Sequence, residues 1–274
     1  MDMVKNSLPK REAIKSLVYT AVESYAEGFQ GRHEGEKDDP LGTINMKIHN
    51  VFIVVLGPEI QFYTSLVRSL DSSLGNMLEK LAINIAKFSY EVEKRVEGPL
   101  GVEQTRGVAE LLEKYKRREI TPPTIEDYQF LRSKPKDKSL TTKRHESDYY
   151  LIDKRTGDNF LIELKIGGDL DNKKARSEKE ALLEQFAILS NTLPSDAKIK
   201  VCFATAYNKD GEGNTWKQER VKQFFADDEL LIGSDFWNFV CKSKDGYEIV
   251  LSAYKERAHL IKGAIGSIKK TYLG

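Results

Sequence analysis

From residue 9 to 29 apolar side chains recur at steps of three and four (Ile14, Leu17, Val18, Ala21, Val22, Tyr25), which predicts an amphipathic helix. Glycines and charges from 28 to 42 predict a loop after it. Residues 44–56 are apolar almost without interruption and 61–70 return to helical spacing, so two packed helices are expected, with a buried strand over 51–56 as the alternative. Asp71, Ser72 and Ser73 are residues that cap helix starts, and the apolar series from Met77 to Val92 predicts a further buried helix. A short helix is expected over 107–118. The proline- and lysine-rich stretch 121–139 then marks a boundary.

Beyond that boundary the periodicity changes. Residues 149–153 and 160–166 are short β-type runs joined by the turn-rich 155–159, which predicts a hairpin. A helix over 178–193 and a strand over 199–207 follow. Helices near 221–225 and 236–241 and a long one over 246–272 close the chain. The expected fold is α/β: a mostly helical region over 1–120, serving DNA binding or dimerisation, and a core over 121–274 in which a small mixed sheet is flanked by helices.

Composition narrows the function mainly by exclusion. Lysine and arginine total 43 against 42 acidic residues, so a net charge of +1 gives no whole-chain case for a polyanionic partner, and any such case must be local. Cys202 and Cys241, 39 positions apart without CxxC spacing, argue against zinc or a disulfide framework. The longest apolar run, 51–56, is far short of the roughly 20 residues a spanning helix needs. With no signal-peptide pattern at the start, a cytoplasmic location off the membrane is expected.

The stretch ESDYYLIDKRTGDNFLIELKIGGD carries the chemistry. Glu163 and Lys165 are two apart on a strand and so share a face. The hairpin brings the start of its first strand, at Asp148, back beside Glu163. Hard divalent cations take carboxylate oxygens and leave other positions to water and phosphate, so Asp148 and Glu163, with the Leu164 carbonyl, are the expected ligands of Mg2+. Lys165 would orient a water or help to deprotonate it.

An aspartate followed some fifteen residues later by ELK on a hairpin resembles the PD-(D/E)XK nuclease superfamily, with Asp148, Glu163 and Lys165 on its three positions and Ser147 where a proline is usual. The segments GGDLDNKKARSEKEALLEQ and SLDSSLGNMLEK are similar to type II restriction endonucleases of the TdeIII group, which cut at GGNCC. This closer likeness spans about two thirds of the chain. It implies a fourth acid from a helix ahead of the hairpin, Glu79, and double-stranded DNA as substrate. Cutting both strands of a symmetric site calls for a homodimer.

Several residues near the motif suit DNA. Lys173, Lys174, Arg176 and Lys179 open a helix beside it, and Lys134, Lys136, Lys138, Lys143 and Arg144 precede it; all are candidates for backbone phosphates. Asn208, Lys209 and Asn214, in a glycine-rich loop, are candidates for base edges. Glu184 and Gln185 could reach back to the site. Asp169 and Asp171 read as helix caps and His145 as a bystander. Two other functions use the same residues: a repair or structure-specific nuclease, and a DNA-binding protein whose acids and lysine are only a surface.

Overall fold

The computed structural model describes residues 8–117, 123–134, 141–167 and 170–274, and of residues 141 and 146–148 only the backbone. The chain divides into two compact units, one of residues 8–85 with Glu248–Gly274 and one of Ala86–Tyr247. This division differs from the one expected at 120/121: the carboxy-terminal helix joins the first segment, and everything from Ala86 belongs with the sheet.

The first unit is helical. It contains α1 (Leu8–Gly35), a 3-10 turn (Asn45–His49), α2 (Val51–Val54), α3 (Pro58–Ala86) and the last helix of the chain, α9 (Gly246–Leu273). Phe29, Ile44, Phe62, Leu66 and Ile268 form its core, ringed by Tyr25, Tyr63, Leu70 and Tyr272. Polar bonds tie first to last: Tyr272 donates to the His33 carbonyl at 2.9 Å, and Ser267 to Glu34 Oε1 at 2.6 Å. The α1 helix runs on to Gly35, past the loop expected from Gly28. The break expected at residues 71–73 is absent, because Ser73 Oγ turns back to the Ser69 carbonyl, 2.6 Å away, and lies 3.0 Å from the Tyr25 hydroxyl.

The second unit is a five-stranded mixed sheet in the order β1-β2-β3-β4-β5: β1 (Tyr90–Leu100), β2 (Thr141–Asp153), β3 (Asn159–Leu164), β4 (Ile199–Thr205) and β5 (Leu230–Ile232). The first three strands are antiparallel and the last two join in parallel. This is the mixed α/β core expected from the pattern, with two added strands, β1 and β5. One face packs on α4 (Val102–Arg117), α5 (Ile125–Ser133) and α6 (Asn172–Thr192), where Leu161, Val201 and Phe203 meet Leu182, Phe186 and Leu112. On the other face Tyr90, Phe160 and Tyr149 stack on Phe239 and Phe236 of α8 (Ser234–Cys241). A short α7 (Glu219–Lys222) lies between β4 and β5. Cys202 and Cys241 are both buried. No helix is long and apolar enough to cross a membrane among the described residues.

One buried ion pair anchors α6. Lys179 is fully buried and donates to Glu229 Oε2 and to the Tyr128 hydroxyl, each at 2.8 Å, with the Phe225 ring 4.6 Å away. Glu229 also accepts from the Tyr128 hydroxyl and the Ala226 amide. Lys179, one of the lysines expected at phosphates, therefore serves the core.

Candidate active site

The β2–β3 hairpin is held at its turn by Asp153. Its carboxylate accepts from the Arg155 and Thr156 amides and lies 2.5 Å from the Lys242 ammonium. Burial opposes the ionised form of Asp153, but Lys242 and those amides hold its pKa below the ordinary value. From this turn the register runs to Tyr149 opposite Ile162, after which one strand continues to Asp148 and the other to Glu163. The backbone thus carries positions 148 and 163 to the same end of the hairpin. The side chain of Asp148 lies outside the described residues.

At that end Lys165 donates to Glu163 and lies 3.1 Å from Glu178 on α6. Glu163 is 12% exposed and Lys165 34%. Burial by itself would draw protons off this amine, yet the two carboxylates outweigh it and the Lys165 pKa is raised. Glu178 is the site residue that sequence reasoning missed. The only available signal was its position one turn into a helix that follows ELK. Leu164, with its side chain buried, pairs with Ala204 on β4. Gly167, just beyond, has a local reason: a Cβ there would lie 2.6 Å from the Tyr207 hydroxyl, and Tyr207 is half exposed.

The other candidates separate by surroundings. Lys173 and Lys174 are exposed in the first turn of α6, whose N-cap is Asp171 through the Lys174 amide at 2.8 Å. Arg176 is drawn to Glu113 of α4 at 2.9 Å. Lys143 is held by Glu184 at 2.6 Å, and His145 Nε2 lies 2.9 Å from the same carboxylate, so His145 is a partner in a polar cluster and Glu184 is engaged there. The His145 bond, then that of Lys143, keeps the Glu184 pKa low against burial. Arg144 is exposed opposite Glu97. Gln185 is buried with its side-chain carbonyl unpaired.

In the loop after β4, Asn208 donates to the Asn214 carbonyl and Asn214 to the Asp210 carbonyl, each at 2.8 Å. These two amides brace the loop, while Lys209 between them is exposed. Glu79 lies on α3, in the helical unit. Lys136, Lys138 and Asp169 fall outside the described residues, and Lys134 sits over the Phe130 ring at 4.1 Å. Among the described residues no group of three or more histidine, cysteine, aspartate or glutamate side chains could hold a metal.

The arrangement, two carboxylates on one ammonium at the open end of a hairpin in a mixed sheet, suits work on a phosphate ester in water. No curated protein and no solved structure matches the chain. The family model of the type II restriction endonuclease HinfI matches residues 10–258, nearly the whole chain. With the mixed sheet, the hairpin and this match together, the chain belongs to the HinfI family of type II restriction endonucleases, enzymes that hydrolyse the phosphodiesters of DNA.

Proposed function

We propose that this endonuclease uses Mg2+, held by Asp148, Glu163 and the Leu164 carbonyl, to cut double-stranded DNA at GGNCC as a cytoplasmic homodimer. The observation that carries the site is Lys165, one third exposed and gripped by Glu163 and Glu178 at the end of β3. The donors fit a hard cation, since the acids converging at this end supply oxygen only. Because the described side chains make no three-acid cluster, the proposal needs Asp148 beside Glu163. Bound there, the ion would supply Lewis acidity toward the scissile phosphate and its attacking water.

The chain's own residues do the rest. Held by two carboxylates, the Lys165 ammonium has a fixed direction and presents its remaining proton to the water or to a phosphate oxygen, so it orients and stabilises charge. Glu178 sets the position of that ammonium. Lys173 and Lys174 stand at a helix start, where cations are disfavoured by the helix dipole by about 0.3–1 kcal/mol, and α6 has no acidic residue in its first turn. Such placement makes sense if an anion arrives there, and a DNA backbone is one. Lys143, Arg144, Arg176 and Lys209 would extend this basic track, with the Asn208–Asn214 loop facing bases. The GGNCC specificity rests on the likeness of residues 69–80 and 167–185 to the TdeIII group.

The test is digestion of unmethylated phage DNA with Mg2+ by the wild type and by Glu163→Ala, read as fragments on a gel. Discrete bands that map to GGNCC and vanish in the variant are expected. Intact DNA, or the same smear from both proteins, would remove the active-site assignment, and bands mapping elsewhere would remove the specificity. Cleavage that follows DNA structure instead of one sequence would favour a structure-specific nuclease.

A further inference from the structure

Residues 41–60 of the helical unit expose large apolar side chains at a density found nowhere else among the described residues. Leu41, Ile48, Val51, Phe52, Val55 and Leu56 are each 60–81% exposed. Neither the 3-10 turn nor α2 contains a buried residue. A one-turn helix has no intrinsic stability in water. Here it is capped by Asn50 through the Ile53 amide, with Ile53 and Val54 only partly covered and Val51 and Phe52 left 63% and 81% exposed. Soluble monomers rarely present contiguous patches of this kind, and when they do the patch is a contact site.

The chemistry of the segment selects its occupant. Between Thr43 and Pro58 the only formally charged side chain is Lys47, so a polyanion would gain nothing there. The basic polar face that holds an amphipathic helix on a bilayer is also missing. A neutral apolar surface is complementary to itself, which is what a two-fold interface requires, since both partners offer the same patch. The exposed fractions amount to several hundred Å2 per chain, the order of the roughly 800 Å2 each partner gives to a standard interface.

We propose that residues 41–60, centred on Phe52 and Val55, are the surface through which two copies of this chain dimerise. Its purpose rests on the two-site cutting described above, but its test is a mass and stands apart from activity. By sedimentation velocity the full-length wild type should run at twice 31.2 kDa in the micromolar range. The double variant Phe52→Glu/Val55→Glu should run at 31.2 kDa, or dissociate at least a hundredfold more readily, with its circular dichroism unchanged because those side chains bury nothing in the monomer. Phe52→Ser/Val55→Ser should weaken the dimer in the same direction without added charge. Ile125→Glu, a change at an equally exposed residue of the other unit, should leave the dimer intact. A monomeric wild type, a double variant that stays dimeric, or dissociation by Ile125→Glu as well would each overturn the proposal. A dimer lost as expected in a protein that cuts no DNA would leave the interface standing and remove the nuclease assignment alone.

Discussion

Replacing Glu229 by glutamine tests how firmly α6 is fixed. In the wild type Lys179 is wholly buried and its charge is met by Glu229 Oε2 at 2.8 Å. Glutamine keeps the shape, and with its carbonyl toward the Ala226 amide its NH2 can donate to the Tyr128 hydroxyl, but the ammonium loses its counter-charge beside two aromatic rings. The least costly escape is for that amine to lose its proton, and burial already lowers its pKa. Since an ordinary lysine titrates near 10.4 and each pH unit is about 1.36 kcal/mol, this costs about 4.6 kcal/mol at pH 7 and about 1.9 kcal/mol at pH 9. The first figure agrees with the roughly 3–5 kcal/mol expected when a buried pair loses one partner.

At about 2–4 °C per kcal/mol, Glu229→Gln should melt roughly 9–18 °C below the wild type at pH 7. The sign of the pH effect follows from proton counting. Between the lowered folded pKa and 10.4 the unfolded lysine holds a proton the folded one has shed, so raising the pH favours the folded variant and narrows the gap. Adding Lys179→Met removes the orphaned charge and should recover most of the loss. Thermal unfolding of the three proteins at pH 7 and pH 9, followed by circular dichroism, gives both quantities. A deficit below about 1 kcal/mol, a deficit indifferent to pH, or a double variant no better than Glu229→Gln would refute the account, since each contradicts the capped cost of a buried charge.

Lys165→Ala should lower cleavage at least about a hundredfold while leaving the melting temperature within a few degrees, as expected for loss of a group that stabilises developing charge; single-turnover rates decide it. Glu178→Gln removes one of two carboxylates from a partly exposed ammonium, a pair worth about 0.2–1 kcal/mol, so a loss of up to about fivefold is expected, vanishing in a Lys165→Ala background if Glu178 acts through the lysine. Glu184 has a depressed pKa, so its stabilisation is present above about pH 4.3 and is lost as the pH falls through the folded value. Glu184→Gln should flatten the fall of melting temperature between pH 6 and 3, and an unchanged slope would count against the cluster. Lys173→Ala/Lys174→Ala should weaken DNA binding and reduce its salt dependence, measured by fluorescence anisotropy in Ca2+.

How far the fold could be read from the sequence depended on how many masters each residue served. The hairpin was legible because Tyr149–Ile152 and Phe160–Ile162 are short continuous apolar runs of strand-forming residues, buried on both faces of the sheet, and the turn between them is spelled in glycine, aspartate and asparagine. Strand β1 was not. Val92, Val96 and Leu100 are four apart, a spacing that helix and strand share, and the residues between them are mostly charged. The first residues of the strand, 90–92, therefore read as the tail of the preceding helix. At 71–73 three capping residues stand inside one continuous helix: the Ser73 hydroxyl is taken up by α3 itself and by Tyr25 of α1, while Asp71 and Ser72 are exposed.

The site follows the same rule. Glu163 and Lys165 could be paired from strand periodicity, whereas Glu178 needed the packing of α6 against the sheet, which no local pattern encodes. Lys179 looked like part of a phosphate-binding run with Lys173, Lys174 and Arg176, but burial against Glu229 takes it out of that run, and Arg176 is paired with Glu113. Residues 51–56 were expected to be interior, and their exposure is what points to a second chain.

The two units follow different clocks as the chain is made. The sheet unit is continuous, Ala86–Tyr247, so every strand and both acids on Lys165 have been synthesised before the ribosome reaches α9. The helical unit cannot close until that last helix arrives, because Ile268 and Tyr272 complete a core begun at Phe29 and Phe62. Domains tend to fold as they emerge, amino-terminal parts first, yet here the earliest segment must wait for the latest. If Glu163 and Lys165 cut and residues 41–60 join two copies, as proposed, a nascent chain would acquire its cutting residues before the scaffold on which copies join, and a solitary, half-finished molecule would nick one strand of DNA but not sever both.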